Sequence, residues 1–494
     1  MSLACLPICW YVPQETDAEK IARLEREIEQ LKQENERLRR ALEEAVRAAK
    51  RQAAPFSRRA PKAHPQTPGR KAGRGYGRIA QRAVPPRIDE TLEAELPAGC
   101  PHCGGALQET EVVEQYQTEI PEPQVQHLRF RIHVGRCRRC GWRVQGRHSR
   151  QTSDALGSAR SQLGPRAVAL ATQLNKGLGL PYGKTASVLR QAFALEVTRG
   201  GLCQAMARAA RQAEPTYQGL VEQIRTSRRV TPDETGWKVG GHLWWLWVFA
   251  SPQVTVYSIQ PGRGFPQAAA VLGEDFTGFL VRDGWSIDPH FAQALHQTCL
   301  AHLLRRCQQM REVATVAAAG FPRTVQTILP QALQLRDRWE SGQISRHGLA
   351  VARGRLEAQL DRALETRYRW AANERFANHL DRERNYIFTF LYYPGLEATN
   401  WRAEQALRPA VVARKVWGGN RTPRGAHTQE ILVSLLATCR QQNRPAQAVL
   451  MRLLCSRKPK PLHFRVARLP PAGSQAASVP PLCPSRRGAR IVTR

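Results

Sequence analysis

The chain has 494 residues, with 74 Lys and Arg against 41 Asp and Glu, so its formal net charge is +33 and its isoelectric point lies near 10.7. That length allows two to four domains with at least one sizeable core, and the charge points to a polyanionic partner. No apolar run approaches the roughly 18 residues that a membrane span needs, and the twelve cysteines include two CxxC pairs rather than a disulfide framework. With no basic leader at the start to mark a signal peptide, the expectation is a soluble, cytoplasmic protein without a membrane partner.

In chain order, Ile21, Leu24, Ile28, Leu31, Asn35, Leu38 and Leu42 recur at alternating three- and four-residue steps. This seam predicts a coiled coil over 16–50, and a lone polar Asn35 in it favours a parallel two-stranded coil, hence a homodimer. A single amphipathic helix packed on its own protein would show a similar stripe. Residues 51–90 follow as a basic, disordered linker. Arg51 to Arg87 holds ten Arg or Lys and no acid, a composition that cannot bury a core but can track phosphates.

Cys100-Pro-His-Cys103 and Cys137-Arg-Arg-Cys140 bracket 33 residues with two strand-like pieces, VVEQYQTEI and VQHLRFRIHVG. Four thiolates on two turns suit tetrahedral, structural Zn²⁺, which predicts a zinc ribbon over 91–150 with Cys100, Cys103, Cys137 and Cys140 as ligands. Residues 160–227 read as three short helices, the last capped by Thr198. They predict a helix-turn-helix-like DNA-binding domain with Arg199, Gln204 and Arg208 on a recognition helix, or else ordinary helical packing between domains.

From Arg228 the pattern changes. Val230 to Gly240, His242 to Ala250 and Val254 to Ile259 are β-branched and aromatic runs that predict three antiparallel strands. A helix over Pro266 to Leu272, a strand ending at Asp283, a further strand and helix in FAQALHQTCLAHLLRRCQQ, and a closing amphipathic helix over Gln429 to Cys439 complete a domain spanning 228–441. Helical sequence over about 312–395 forms an insertion in it. The region 455–494 lacks periodicity and predicts a disordered basic tail. The fold class expected is therefore multidomain α+β, with coiled coil, zinc ribbon and helical region ahead of an α/β core.

Three acids stand out in that core. Asp233 lies on the first strand and Asp283 at a strand tip before Gly284, while Glu404 falls in a helical stretch far downstream. Carboxylates so placed suit hard divalent cations. The residues alone leave Asp233 and Glu234 open, because neighbours on a strand face opposite sides; Glu274, Asp275 and Asp288 rival Asp283 but lie in turn-like sequence. Trp237, Trp244, Trp245 and Trp247 read as sheet core, Trp285 and Trp401 as candidates to contact a frayed end base.

TPDETGW, RDGW, CLAH (Cys299 to His302), ATNWRAEQALRP and the pair Arg414-Lys415, in this order, resemble the transposases of the insertion-sequence sixty-six family. The likeness runs from about Leu92 to about Gln441. It implies a DDE transposase with a ribonuclease H-like catalytic domain and with Asp233, Asp283 and Glu404 as the triad. It further implies two Mg²⁺ ions, replaceable by Mn²⁺, bridged by Asp233. His302 would orient the scissile phosphate or a ligand, or form a core pair with Cys299. Arg402, Arg408, Arg414 and Lys415 would clamp DNA phosphates.

Such an enzyme binds the terminal inverted repeats of its element. It hydrolyses the DNA ends and transfers the 3′-OH to target DNA, at the bacterial nucleoid and with accessory transposition proteins where needed. Where the family shows two asparagines, this chain has Asn400 and Trp401, which bears on the start of the helix that carries Glu404. Two other readings use the same residues: a non-catalytic dimeric DNA-binding protein, and a structure-selective nuclease that cuts without joining.

Overall fold

The computed structural model describes residues 17–50, 83–156, 162–284 and 290–464. The chain divides into two compact units, 1–121 and 122–494. The 51–82 part of the basic linker, Trp285, Asp288 and residues 465–494 lie outside the described residues.

In the first unit, helix α1 covers Asp17–Lys50, and its seam residues Ile21, Leu24, Ile28, Leu31 and Leu38 are all at least half exposed. Beyond it, Cys100 to Gly105 forms a tight knuckle: Cys100 N–H donates to Gly105 O at 2.9 Å and Gly104 N–H to Cys100 O at 2.8 Å. VVEQYQTEI forms no strand. It finds no neighbouring ladder, and Val112, Val113 and Ile120 stay exposed.

The second unit opens with β1 (Val134–Arg136) paired antiparallel to β2 (Arg143–Gln145). Between them Cys137 to Trp142 repeats the knuckle, with Cys137 N–H to Trp142 O at 2.8 Å and Gly141 N–H to Cys137 O at 2.9 Å. The second strand-like piece is thus only partly a strand.

Helices α2 (Pro165–Thr172), α3 (Tyr182–Phe193) and α4 (Arg199–Arg225) follow. Thr198 caps α4 as expected, accepting from Gly201 N–H at 3.0 Å. But α4 is not short: it runs 27 residues, through Pro215. Its apolar face, including Met206, Leu220 and Ile224, belongs to the same buried cluster as Val230, Trp247 and Phe249 of the sheet. The boundary expected near residue 228 is therefore not a core boundary, because one hydrophobic cluster spans it.

The sheet contains β3 (Arg229–Val239), β4 (His242–Ala250), β5 (Thr255–Gln260), β6 (Phe279–Arg282) and β7 (Leu295–Thr298). Its order is β5-β4-β3-β6-β7. The first three are antiparallel, and β6 and β7 run parallel to β3. This mixed α/β arrangement is compatible with a ribonuclease H-like core. Gly240 and Gly241, with φ of +60° and +87°, form the two-residue β3–β4 turn, whose type demands positive φ at both positions.

Helix α5 (Phe265–Leu272) connects β5 to β6, and α6 (Leu300–Val313) leads out of β7. Then α7 (Gly320–Glu340), α8 (Arg346–Glu365) and α9 (Ala371–Ile387) form the helical insertion. With β6, Cys307 and the stretch up to Ala398, the insertion builds a second hydrophobic cluster.

The closing helices are α10 (Trp401–Trp417), α11 (Pro423–Gln441) and α12 (Ala446–Cys455). Helix α11 seals the free edge of β5 with a polar stripe rather than an apolar one. Thr255 and Tyr257 donate their N–H groups to the hydroxyls of Thr438 and Ser434 at 3.2 and 2.8 Å, and Ile259 N–H donates to Glu430. Four helical residues rise about 6 Å and two strand residues about 6.6 Å, so the two repeats stay in step and an edge that would otherwise expose donors is covered.

The basic tail, expected to lack structure from residue 455, is placed as far as residue 464. Leu462 N–H reaches Thr216 Oγ1 at 3.2 Å and Phe464 is buried in the first cluster. Among the described residues, no helix is long and apolar enough to cross a membrane.

Candidate active site

The register of β3 decides between its two adjacent acids. Asp233 pairs with Val248 and Glu234 with Trp247, and cross-strand partners share a face of the sheet. Val248 belongs to the cluster formed with Trp237, Val239 and the α10 residues Ala403, Leu407 and Ala410. Trp247 belongs to the opposite cluster, with α4 and α5. Asp233 therefore faces the helix that carries Glu404, and Glu234 faces away. There Glu234 is engaged by Arg263, whose Nε donates to Oε1 at 2.7 Å.

Asp283 reaches the same place by parallel register. Val230 pairs with Leu280, and three residues further along each strand stand Asp233 and Asp283. Its rivals Glu274 and Asp275 are exposed in the turn after α5.

Glu404 sits in the first turn of α10, and both ends of that helix are pinned. At the start, the buried Cys299 thiol donates to Asn400 Oδ1 at 3.1 Å and accepts from Asn400 N–H at 3.3 Å. The helix begins at Trp401 with a single asparagine before it. At the end, Asn420 N–H donates to Lys238 O at 2.9 Å and Trp237 Nε1 donates to Asn420 Oδ1 at 2.8 Å. A Cβ on Gly419 would come within 2.3 Å of Lys238 O, so only glycine lets the chain lie so close to β3.

The electrostatics record this convergence. Burial, the carboxylates of Glu234 and Asp283 and, more weakly, Glu404 push the Asp233 pKa up to about 7. Among the described residues, no group of three or more His, Cys, Asp or Glu side chains is already gathered closely enough to hold a metal ion. Glu404 is held at the rim instead, with Oε1 3.4 Å from His302 Nε2 and 3.3 Å from Arg305 Nη2. Arg305 was not foreseen; its position one helical turn after His302 on α6 is the signal that would have shown it.

The ground beneath Asp283 was equally invisible in the sequence. Arg282 Nη1 and Thr298 Oγ1 both donate to Glu383 Oε2 at 2.6 Å, and Arg282 Nε reaches His296 Nδ1 at 3.1 Å. Helix α9 of the insertion thereby grips the strand that delivers Asp283.

The other expected residues separate into two groups. Arg402 pairs with Glu397, Nη2 to Oε1 at 2.7 Å. Arg414 is bonded to Thr235 Oγ1 at 3.0 Å and to Gly236 O; both have partners within the protein. Arg408 and Lys415 are exposed, as are Arg199 and Gln204, while Arg208 is half buried. Trp237 and Trp247 are core as expected, and Trp401 is 45% exposed, with the Arg402 guanidinium over its ring.

Compared with known protein families, residues 160–428 match the one described as Transposase IS66 family. The chain belongs to that family. The match covers more than half of the chain and includes all three acids, so the protein is an IS66-family transposase, with the nuclease and transferase character that membership implies. None of the curated proteins compared matches it.

Proposed function

We propose that this transposase works by DDE chemistry. It binds the terminal inverted repeats of its insertion sequence, hydrolyses the phosphodiester at each end and transfers the exposed 3′-OH to target DNA. The observation that carries this reading is the orientation of Asp233 toward α10, the helix that bears Glu404, with burial and then the carboxylates of Glu234, Asp283 and Glu404 raising its pKa to about 7. A buried carboxylate beside like charges costs folding energy and is retained where function needs it.

Asp233, Asp283 and Glu404 would hold the Mg²⁺ ions, or Mn²⁺ in their place, and their all-oxygen donor set suits hard cations. His302 Nδ1 is buried with no hydrogen-bond partner, so the Glu404 surround is incompletely satisfied as it stands. When bound, two such ions polarise the phosphate and activate the attacking oxygen. The chain's own part is to hold Asp233 rigidly on the central strand and to carry Glu404 on a helix pinned at both ends. Arg305 and His302 keep Glu404 paired until the site is filled. Exposed Arg408 and Lys415 supply phosphate contacts.

The two knuckles suit structural Zn²⁺. In each, backbone N–H groups of the following residues hold the first thiol, Cys100 or Cys137, below its usual pKa, which favours the thiolate that zinc requires. The exposed α1 seam supports pairing with a second copy of the chain, and the basic linker and tail supply further DNA contacts at the nucleoid. The test is metal-dependent nicking and strand transfer on an oligonucleotide carrying the element's own end. Asp233→Asn, Asp283→Asn and Glu404→Gln should abolish both reactions while leaving DNA binding. Unchanged nicking in all three would leave a non-catalytic dimeric DNA-binding protein, and nicking without joining in the parent protein a nuclease.

A further inference from the structure

Beyond the acids, α10 borders a cavity of about 290 Å³ whose walls also include residues of the α2–α3 connection, β4, β5 and α11. Leu246, Ile259, Ala413 and Trp417 make much of it apolar. Its polar members are the unusual part. Asn175, Lys176 and Gln429 all line it and are respectively 3%, 7% and 5% exposed. Two of them present oxygens without partners, Asn175 Oδ1 and Gln429 Oε1.

The Asn175 orientation is set by its other end, since Nδ2 donates to Leu180 O at 2.6 Å; turning the amide would face oxygen to oxygen. The Lys176 ammonium lies over the rings of Tyr182 and Trp417, at 5.2 and 5.9 Å, and burial lowers its pKa to about 8. Glu430 also lines the cavity, but its oxygens are taken by Ile259 N–H and His427.

Asn175 and Lys176 reach this space because Gln173–Gly177 is a π-helical turn. The extra residue in such a turn redirects side chains, and such turns are frequent at functional sites. A buried ammonium and two unsatisfied amide oxygens are costly unless something meets them.

We propose that this cavity receives one nucleobase displaced from the bound DNA end. A base is flat and apolar on its faces, offers ring or carbonyl acceptors to Lys176, and carries N–H donors for Asn175 and Gln429. The exposed Arg408 at the rim suits the attached phosphate. The position agrees: Ala413 lies nine residues along α10 from Glu404, about 14 Å at 1.5 Å per residue, or roughly four stacked nucleotides at 3.4 Å. Extruding a base there would fix the register of the DNA end on the enzyme. The inference rests on the transposase reading.

Calorimetric titration of the full-length protein with each of the four deoxynucleoside 5′-monophosphates tests it, with deoxyribose 5-phosphate as control. At least one nucleotide should bind saturably, and its affinity should fall about tenfold in Lys176→Met and in Ala413→Phe, which fills the space. Deoxyribose 5-phosphate should not bind. Because Lys176→Met is close to isosteric, it decides the matter if Ala413→Phe fails to fold. No saturable binding, equal binding of the sugar phosphate, or an unchanged affinity in Lys176→Met would each overturn the proposal and leave a water-filled cavity. Asp233→Asn should retain nucleotide affinity, so a failure of the cleavage chemistry and a failure of the cavity are read separately.

Discussion

The two faces of strand β3 treat their acids in opposite ways. Away from α10, Glu234 meets the guanidinium of Arg263, although burial still raises its pKa. Toward α10, Asp233 is buried, and burial, then the carboxylates of Glu234, Asp283 and Glu404, push its pKa up to about 7. The same contrast separates Asp283 from its neighbour Arg282, which is buried against Glu383. Buried charges that serve the fold are paired. Those left facing like charge mark the place where something positive is expected to bind.

The largest effect that could break this contrast is catalytic. Asp233→Asn, Asp283→Asn and Glu404→Gln should each lower strand cleavage by about 10³-fold or more, the several kcal/mol attributed to metal-assisted charge stabilisation. Glu234→Gln should stay within about threefold of the parent. Equal losses at Asp233 and Glu234 would erase the distinction between the faces.

Next comes the insertion side. Burial and Arg282 lower the His296 pKa to about 4. The folded state therefore binds fewer protons than the unfolded one below pH 6.5, so His296 contributes stability above that value which is lost as pH falls toward 4. The loss amounts to ~3 kcal/mol, seen as a Tm that drops over that window and flattens in His296→Gln. A smaller effect, about 1–3 kcal/mol in denaturant unfolding, is expected for Glu234→Gln because it removes the charge that Arg263 pairs with on that face.

Adding Mg²⁺ should raise the Tm of the parent protein and not that of Asp233→Asn, in proportion to the ligand concentration over Kd. The smallest effect is at Arg408, where replacement by Ala should weaken DNA binding only a few-fold and reduce its salt dependence by about one counterion. A similar loss in Arg402→Ala would instead show that its pairing with Glu397 opens on DNA.

Much of the architecture was legible because local patterns carry it. β-branched and aromatic runs marked β3, β4 and β5, and Thr198 marked a helix start. Strand-forming VVEQYQTEI misled, since β propensity without a neighbour to pair with produces no ladder. The length of α4 was hidden by Pro215, and the task of α11 by its stripe of Glu430, Ser434 and Thr438, which amphipathicity reads as surface. At the site, the acids were visible as residue types in an ordered set of motifs; Arg305 had only its spacing from His302 to mark it, and Glu383 had nothing, because a single ion pair across the fold leaves no periodic trace.

Read alone, the order of amino acids determined that the protein is basic, that its core mixes strands with helices, and which acids competed for each position. Only the folded chain decided that Asp233 rather than Glu234 looks toward Glu404. That choice depends on which side of β3 lies under α10, and a strand's alternation defines two faces without saying which of them a helix far downstream in the chain will cover.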